Sequence, residues 1–126
     1  MSVKIIMPEF EIHTTPSEEI IVDPDSITVT LDDIYERRYK ITVKPFVSIK
    51  IVTIDCVSSK EYYNDFCYRE GRYHRHILQA DNSHDLNMLI QNSGGKQFLN
   101  NAKCFILPLQ DNFVEIIADE FKLEKL

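Results

Sequence analysis

The sequence predicts a β-rich α+β domain, and three observations predict it. Ile and Val together occur 24 times against three alanines. That balance suits pleated sheets, because β-branched side chains are stiff in a helix. Several stretches alternate apolar and polar residues with a period of two, the pattern of a half-buried strand. One stretch alone carries helix signals at both ends. The expected architecture is a curled antiparallel sheet or sandwich of about seven to nine strands, with one main helix near residues 83–93 and a C-terminal β-hairpin. At 126 residues, the chain has one domain's length, so residues 1–126 are expected to form a single globular domain.

The elements follow in order. Residues 3–7 are a short apolar run that Pro8 stops. Residues 18–31 read as a hairpin around Asp23-Pro24-Asp25-Ser26, with Ile27, Val29 and Leu31 on one face; Pro and Asp are turn formers. Tyr39, Ile41 and Val43 share the inner face of the next strand, and Pro45 interrupts it. Residues 46–57 form the strongest strand pattern. Val47, Ile49 and Ile51 share a face before the apolar phase shifts to Val52, Ile54 and Cys56. Such a shift suggests a bulge or burial on both faces.

Residues 58–82 open on a loop, and their Tyr62, Tyr63, Phe66 and Tyr68 fit either a helix or a strand. Glu70-Gly71 reads as a turn, and residues 72–80 as a strand. Asn82 or Ser83 caps the helix, Leu86, Leu89 and Ile90 share its apolar face, and Gly94-Gly95 ends it. Residues 103–109 and 113–118 form the last hairpin around Gln110-Asp111-Asn112. Pro108 places the first of these strands at an edge or bends it late. Besides the inward residues already named, Phe105, Leu107 and Ile116 complete the expected core.

Composition bounds the function. The longest apolar run, residues 104–109, is six long, far short of the ~20 residues that span a bilayer as a helix, so no membrane association is expected. The N-terminus lacks the pattern of a secretory signal. Three widely spaced cysteines, an odd number, fit reduced thiols, and the expected localisation is cytoplasmic. CxxC pairs, Gly-rich phosphate loops and GxSxG elbows do not occur. The formal net charge is −6. Residues 1–34 hold eight acids and one Lys, residues 35–110 eleven bases and seven acids, and residues 111–126 five acids and two Lys. Overall acidity makes nucleic acid an unfavourable partner and a basic protein a favourable one.

The stretch 62–84 holds four of six tyrosines, three of five arginines and three of four histidines. On a strand, His74 and His76 share one face about 7 Å apart and form candidate metal ligands with His84. Arg69, Arg72, Tyr73, His74, Arg75 and His76 together form a candidate binding surface, since basic residues interleaved with aromatics suit phosphates and bases. The bland reading is that the histidines face solvent or stack on tyrosines and the arginines pair with nearby acids. The adjacent acids Glu18-Glu19, Asp32-Asp33 and Asp119-Glu120 read as surface charge. Catalysis needs an activated group, an orienting partner and a charge stabiliser, and only residues 67–84 supply such parts.

The resulting expectation is a non-catalytic protein-binding domain without a cofactor. Its sharpest form is an immunity- or inhibitor-type protein that neutralises a basic partner. The alternative is a small metal-dependent hydrolase or a nucleic-acid-binding protein built on the 62–84 cluster. The cysteine pattern predicts that all three thiols react with a thiol reagent once the chain is unfolded without reductant. Only one reacting thiol would reveal a disulfide.

Overall fold

Alternation decides the first sheet. Strand β3 (Ile27–Asp32) buries every second side chain, and Ile27, Val29 and Leu31 are fully enclosed. The computed structural model describes residues 2–13, 18–53, 68–81, 83–94 and 99–126. Within them lie two antiparallel sheets, a small ribbon and one helix. The four-stranded sheet has the order β11-β4-β3-β2, built from β2 (Glu19–Val22), β3, β4 (Arg38–Val43) and β11 (Lys122–Lys125). The five-stranded sheet has the order β1-β8-β9-β10-β5, built from β1 (Ser2–Ile5), β5 (Ser48–Thr53), β8 (Leu78–Asp81), β9 (Lys103–Pro108) and β10 (Asn112–Ala118). Strands β6 (Tyr68–Arg69) and β7 (Arg72–Tyr73) form the ribbon, and helix α1 spans His84–Asn92. The β-rich α+β class is therefore as expected.

The sheets enclose one core and the helix covers another. Ile27, Val29, Leu31, Ile41 and Val43 of the four-stranded sheet meet Leu107, Val114, Ile116 and Ala118 of the five-stranded one, with Phe10 and Ile12 packed among them. The opposite face of the five-stranded sheet buries Val3, Leu78, Ala80, Cys104, Ile106, Phe113 and Ile117, and Leu86 and Leu89 of α1 pack there. Strands β9 and β10 are thus buried on both faces, which explains their continuous apolar sequences.

The turns match their chemistry. The amide of Asp23 donates to the Ser26 carbonyl across the β2–β3 turn at 2.8 Å. Glu70 and Gly71 both adopt positive φ, 55° and 81°, as a two-residue hairpin loop of twisted strands demands. Ser83 caps α1 by accepting from the Leu86 amide. Pro45 lies in the link that carries the chain from β4 to β5.

Four expectations need correction. Residues 72–80 are not one strand, because 74–77 leave the ladder to hold residues 6–12. Ile12 donates to the Arg75 carbonyl at 2.7 Å and Ile6 to that of Ile77 at 3.2 Å. Pro108 ends an interior strand, paired on one side with β8 and on the other with β10, and needs no edge. Strand β5 is an edge strand, so Ile51 is 49% exposed, and Ile90 on the outer side of α1 is 37% exposed. The Asp32-Asp33 pair is not simple surface charge, since Asp33 is buried. Its Oδ1 accepts from the amides of Tyr35 and Arg37 at 2.9 Å, and its Oδ2 from Arg37 Nε at 2.7 Å. It closes a tight turn in which Glu36 sits at φ 62°. The expected Ile54 and Cys56 lie outside the described residues, as do Tyr62, Tyr63 and Phe66.

Truncating Ile106 or Ile116 to Ala empties a fully enclosed site and should cost ~2–5 kcal/mol in denaturant unfolding. Ile51→Ala should cost less than about 1 kcal/mol, because half the side chain already meets water. Equal losses at Ile51 and Ile116 would contradict this core.

Candidate functional site

The histidine cluster forms where the first strand loses its register. Between the Ile6–Ile77 and Ile12–Arg75 bonds, one chain advances six residues and the other two. Residues 7–11 therefore loop out, and their backbone groups need partners other than a ladder. Pro8 has no amide to donate. The amide of Phe10 turns back to the Met7 carbonyl at 3.0 Å. The Phe10 carbonyl lies 2.9 Å from His76 Nδ1. A carbonyl only accepts, so His76 carries its proton on Nδ1. His76 is 2% exposed and acts as a brace for this loop.

His74 serves the next residue. Its Nδ1 lies 2.5 Å from Glu11 Oε1, and Arg72 reaches Glu11 Oε2 at 3.4 Å. Both His74 and Glu11 are buried. Burial opposes the charge on Glu11, but the His74 bond and the nearby His74 and Arg72 charges outweigh it and hold the carboxyl below its ordinary range. The Glu11 carbonyl accepts from Ile34, and His13 donates to Asp32. Residues 10–13 thus strap the 74–77 segment to the Asp32–Asp33 end of β3.

Arg75 turns the other way, and its guanidinium donates to the Leu109 carbonyl. Beside it, Glu18 Oε1 accepts from the Gln110 amide at 2.7 Å. Burial pushes the Glu18 carboxyl up; the Gln110 amide counters this, and Asp111 adds to it.

Each candidate residue now has a place. His74 and His76 are both buried on the 74–77 segment, and Arg72 shares Glu11 with His74. Arg75 serves the β9–β10 turn. Arg69 and Tyr73 lie in the β6–β7 ribbon, paired with Arg72 and Tyr68 respectively. His84 is the exposed first residue of α1. Among the described residues, no three His, Cys, Asp or Glu side chains gather to hold a metal ion. Arg72 meets Glu11, 61 residues away, and Arg75 meets the Leu109 carbonyl.

A second polar group lies under α1. Glu115 is buried beside Lys50, whose Nζ lies 3.6 Å from it and 3.4 Å from Asp85. Cys104 Sγ lies 3.9 Å from Glu115. Burial first, then the negative charge of Glu115, pushes the Cys104 thiol up to about 11, though Ser83 counters it. Such a thiol stays neutral and unreactive. Cys67 lies outside the described residues. Two shallow depressions, one lined by Thr42, Lys44, Glu120, Phe121 and Lys122 and the other by Pro45, Phe46, Val47 and Asp119, contain none of the histidines.

Sequence reasoning missed Glu11 and the Phe10 carbonyl, which lie more than 60 residues from their histidines. The one local signal was Pro8, which marks where β1 must stop pairing.

No family model matches the chain, and no curated protein matches it in sequence. Among solved structures it is similar to an uncharacterized protein from Neisseria gonorrhoeae, at 16% identity and a TM-score of 0.48, over 100% of both chains.

The shifted carboxyls set an acid limit. Glu11 and Asp33 are both held below their ordinary values of 4.5 and 3.8. At Asp33, burial is again outweighed, here by the Arg37 and Tyr35 bonds. A lowered folded pKa contributes stability that is present above the unfolded value and lost as pH falls through the folded one. Glu18, raised by burial, contributes the opposite slope. Thermal midpoints should therefore fall between about pH 5 and pH 3. Glu11→Gln and Asp33→Asn should each lower the midpoint at pH 7 and flatten that fall, whereas Glu18→Gln, which keeps an acceptor, should not lower it. An unchanged acid slope in the Glu11 and Asp33 variants would contradict the assignment.

Proposed function

We propose that the protein is a non-catalytic protein-binding domain that takes a basic partner, in its sharpest form an inhibitor-type protein that neutralises it. One observation carries the reading: among the described residues, Arg37, Arg38, Lys50 and Arg72 each lie against an acid, while most of the solvent-exposed acids between Glu9 and Glu36 have no base beside them. Asp33 and Asp32 hold Arg37 and Arg38, Glu11 holds Arg72, and Glu115 holds Lys50. No Lys or Arg occurs between Ile5 and Glu36. Glu9, Glu19, Asp23 and Glu36 are exposed and have no ion pair among the described residues. Asp25 pairs with Lys44 only at 3.7 Å, with both side chains 65% exposed, which neutralises little. The remaining acidic surface favours encounter with a positively charged protein.

The groups best suited to chemistry support the same reading. His74 and His76 brace a loop, and Cys104 is a buried neutral thiol. A cytoplasmic setting and the absence of a cofactor belong to this proposal.

Immobilised protein should capture a stoichiometric partner of high isoelectric point from its source cells. Neutralising Glu19, Asp23 and Asp25 with Gln, Asn and Asn should slow association about tenfold at low salt and by less at about 0.3 M, where charges are screened. His84→Ala should leave capture unchanged. Failure to capture a basic protein, equal retention by the neutralised variant, or a metal-dependent turnover would overturn the reading.

A further inference from the structure

We infer that the free edge of β2 is where the partner docks, as an extended segment that adds a fifth strand to the four-stranded sheet. The inference rests on the protein-binding reading above and names the place and the chemistry. Among the described residues, strand β2 ends that sheet and pairs only with β3. The Asp23–Ser26 bond fixes which backbone groups face outward, because antiparallel pairs alternate between bonded and non-bonded. Counting back through the register, Ile21 and Glu19 bond to Thr28 and Thr30, while Ile20 and Val22 direct their N–H and C=O groups away from β3. Among the described residues, nothing bonds to those outward groups.

The other edges are guarded. β11 carries Lys122, Glu124 and Lys125, β1 carries Lys4, and β5 carries Lys50, the charges that keep edges from pairing with other chains. β2 carries no Lys, and its Ile21 and Val22 are 45% and 49% exposed. Adjacent strand residues point to opposite faces, so these two give an incoming strand one apolar contact on each side of the sheet.

Charge selects the occupant. The apolar centre of β2 lies between Glu19 at one end and Asp23 and Asp25 at the other. A second copy paired antiparallel with Ile20 opposite Val22 would set Glu19 against Asp23 at both ends, and like charges opposed in a ladder destabilise it. The complementary occupant is an extended segment, apolar at its centre and basic at both ends, held by strand addition.

The test uses the full chain and a fluorescent synthetic peptide of alternating valine and threonine with two arginines at each end. A control peptide carries glutamates in place of the arginines. The basic peptide should bind, and it should slow hydrogen exchange of the Ile20 and Val22 amides about tenfold or more. The acidic peptide should bind at least about tenfold more weakly. Val22→Pro, which removes one outward donor, and Ile21→Gln, which removes an exposed apolar contact, should each weaken binding by a similar factor. Circular dichroism checks that both variants fold, and Ile21→Gln decides if the proline variant does not. Equal binding of both peptides, binding without protection of Ile20 and Val22, or a dimer in sedimentation that Ile21→Gln dissolves would each overturn the proposal. If the captured basic partner is retained by Ile21→Gln but lost on neutralising the acids, the edge assignment fails while the binding function stands. If no basic partner is captured, the binding function itself fails.

Discussion

The burial of one hairpin on both faces organises the molecule. Strands β9 and β10 expose almost nothing from Cys104 to Leu109 and from Phe113 to Ala118. A hairpin with two apolar faces cannot be satisfied by one covering layer. The four-stranded sheet closes one side and α1 the other, and both positions follow from this demand. Strand pairing follows too. The interior strand β9 is flanked on both sides, so its backbone is satisfied within the sheet, whereas β1 and β5 are left at the edges. Apolar burial of this kind is the main favourable term in folding, and here it is concentrated in two six-residue stretches joined by one short turn.

The polar interior is a consequence of closing that sandwich at one end. Residues 7–11 leave the ladder where Pro8 stops it, and unpaired backbone inside a fold is costly. The sequence answers with side chains that reach in from 74–77. His76 serves the Phe10 carbonyl and His74 the Glu11 carboxylate. Two histidines two residues apart resemble a metal site in sequence because both uses need the same geometry, imidazoles on one side of an extended chain. What separates them is the opposing surface. Here that surface is a carbonyl and an acid already shared with Arg72, so the pair works as a brace.

The legible parts of the fold were those decided locally. The β2–β3 turn, the Glu70-Gly71 turn, the Ser83 cap and the last hairpin follow from residue types at fixed spacing. The alternation of Ile27, Val29 and Leu31 states its face without any partner. Errors arose where a long-range partner decides. Ile49 and Ile51 alternate alike on the same edge strand, yet Ile49 packs against the core and Ile51 stays half exposed, a difference that spacing does not carry. Asp33 looks like its neighbour Asp32 but meets the Tyr35 and Arg37 amides because the chain turns there. The histidine site was legible as a cluster and not as a role, since Glu11 and Phe10 arrive from the far end of the chain.

Charge shows the same division between local and distant causes. The strong acidity of the first 36 residues suggests uniform repulsion, but the fold treats those acids in two ways. Glu11, Asp32 and Asp33 point toward amides, guanidinium groups and an imidazole brought by residues 35–38 and the 72–76 segment. Charge-assisted bonds of this kind are strong where water is excluded. Arg37, Arg38 and Arg72 are held in this way, and each pair takes one acid and one base out of the surface balance. Glu9, Glu19, Asp23 and Glu36 lie in water, where a charge contributes little to stability and acts over about a Debye length on whatever approaches. Two of them, Glu19 and Asp23, flank the apolar residues of β2, where backbone groups and apolar side chains also remain uncovered among the described residues.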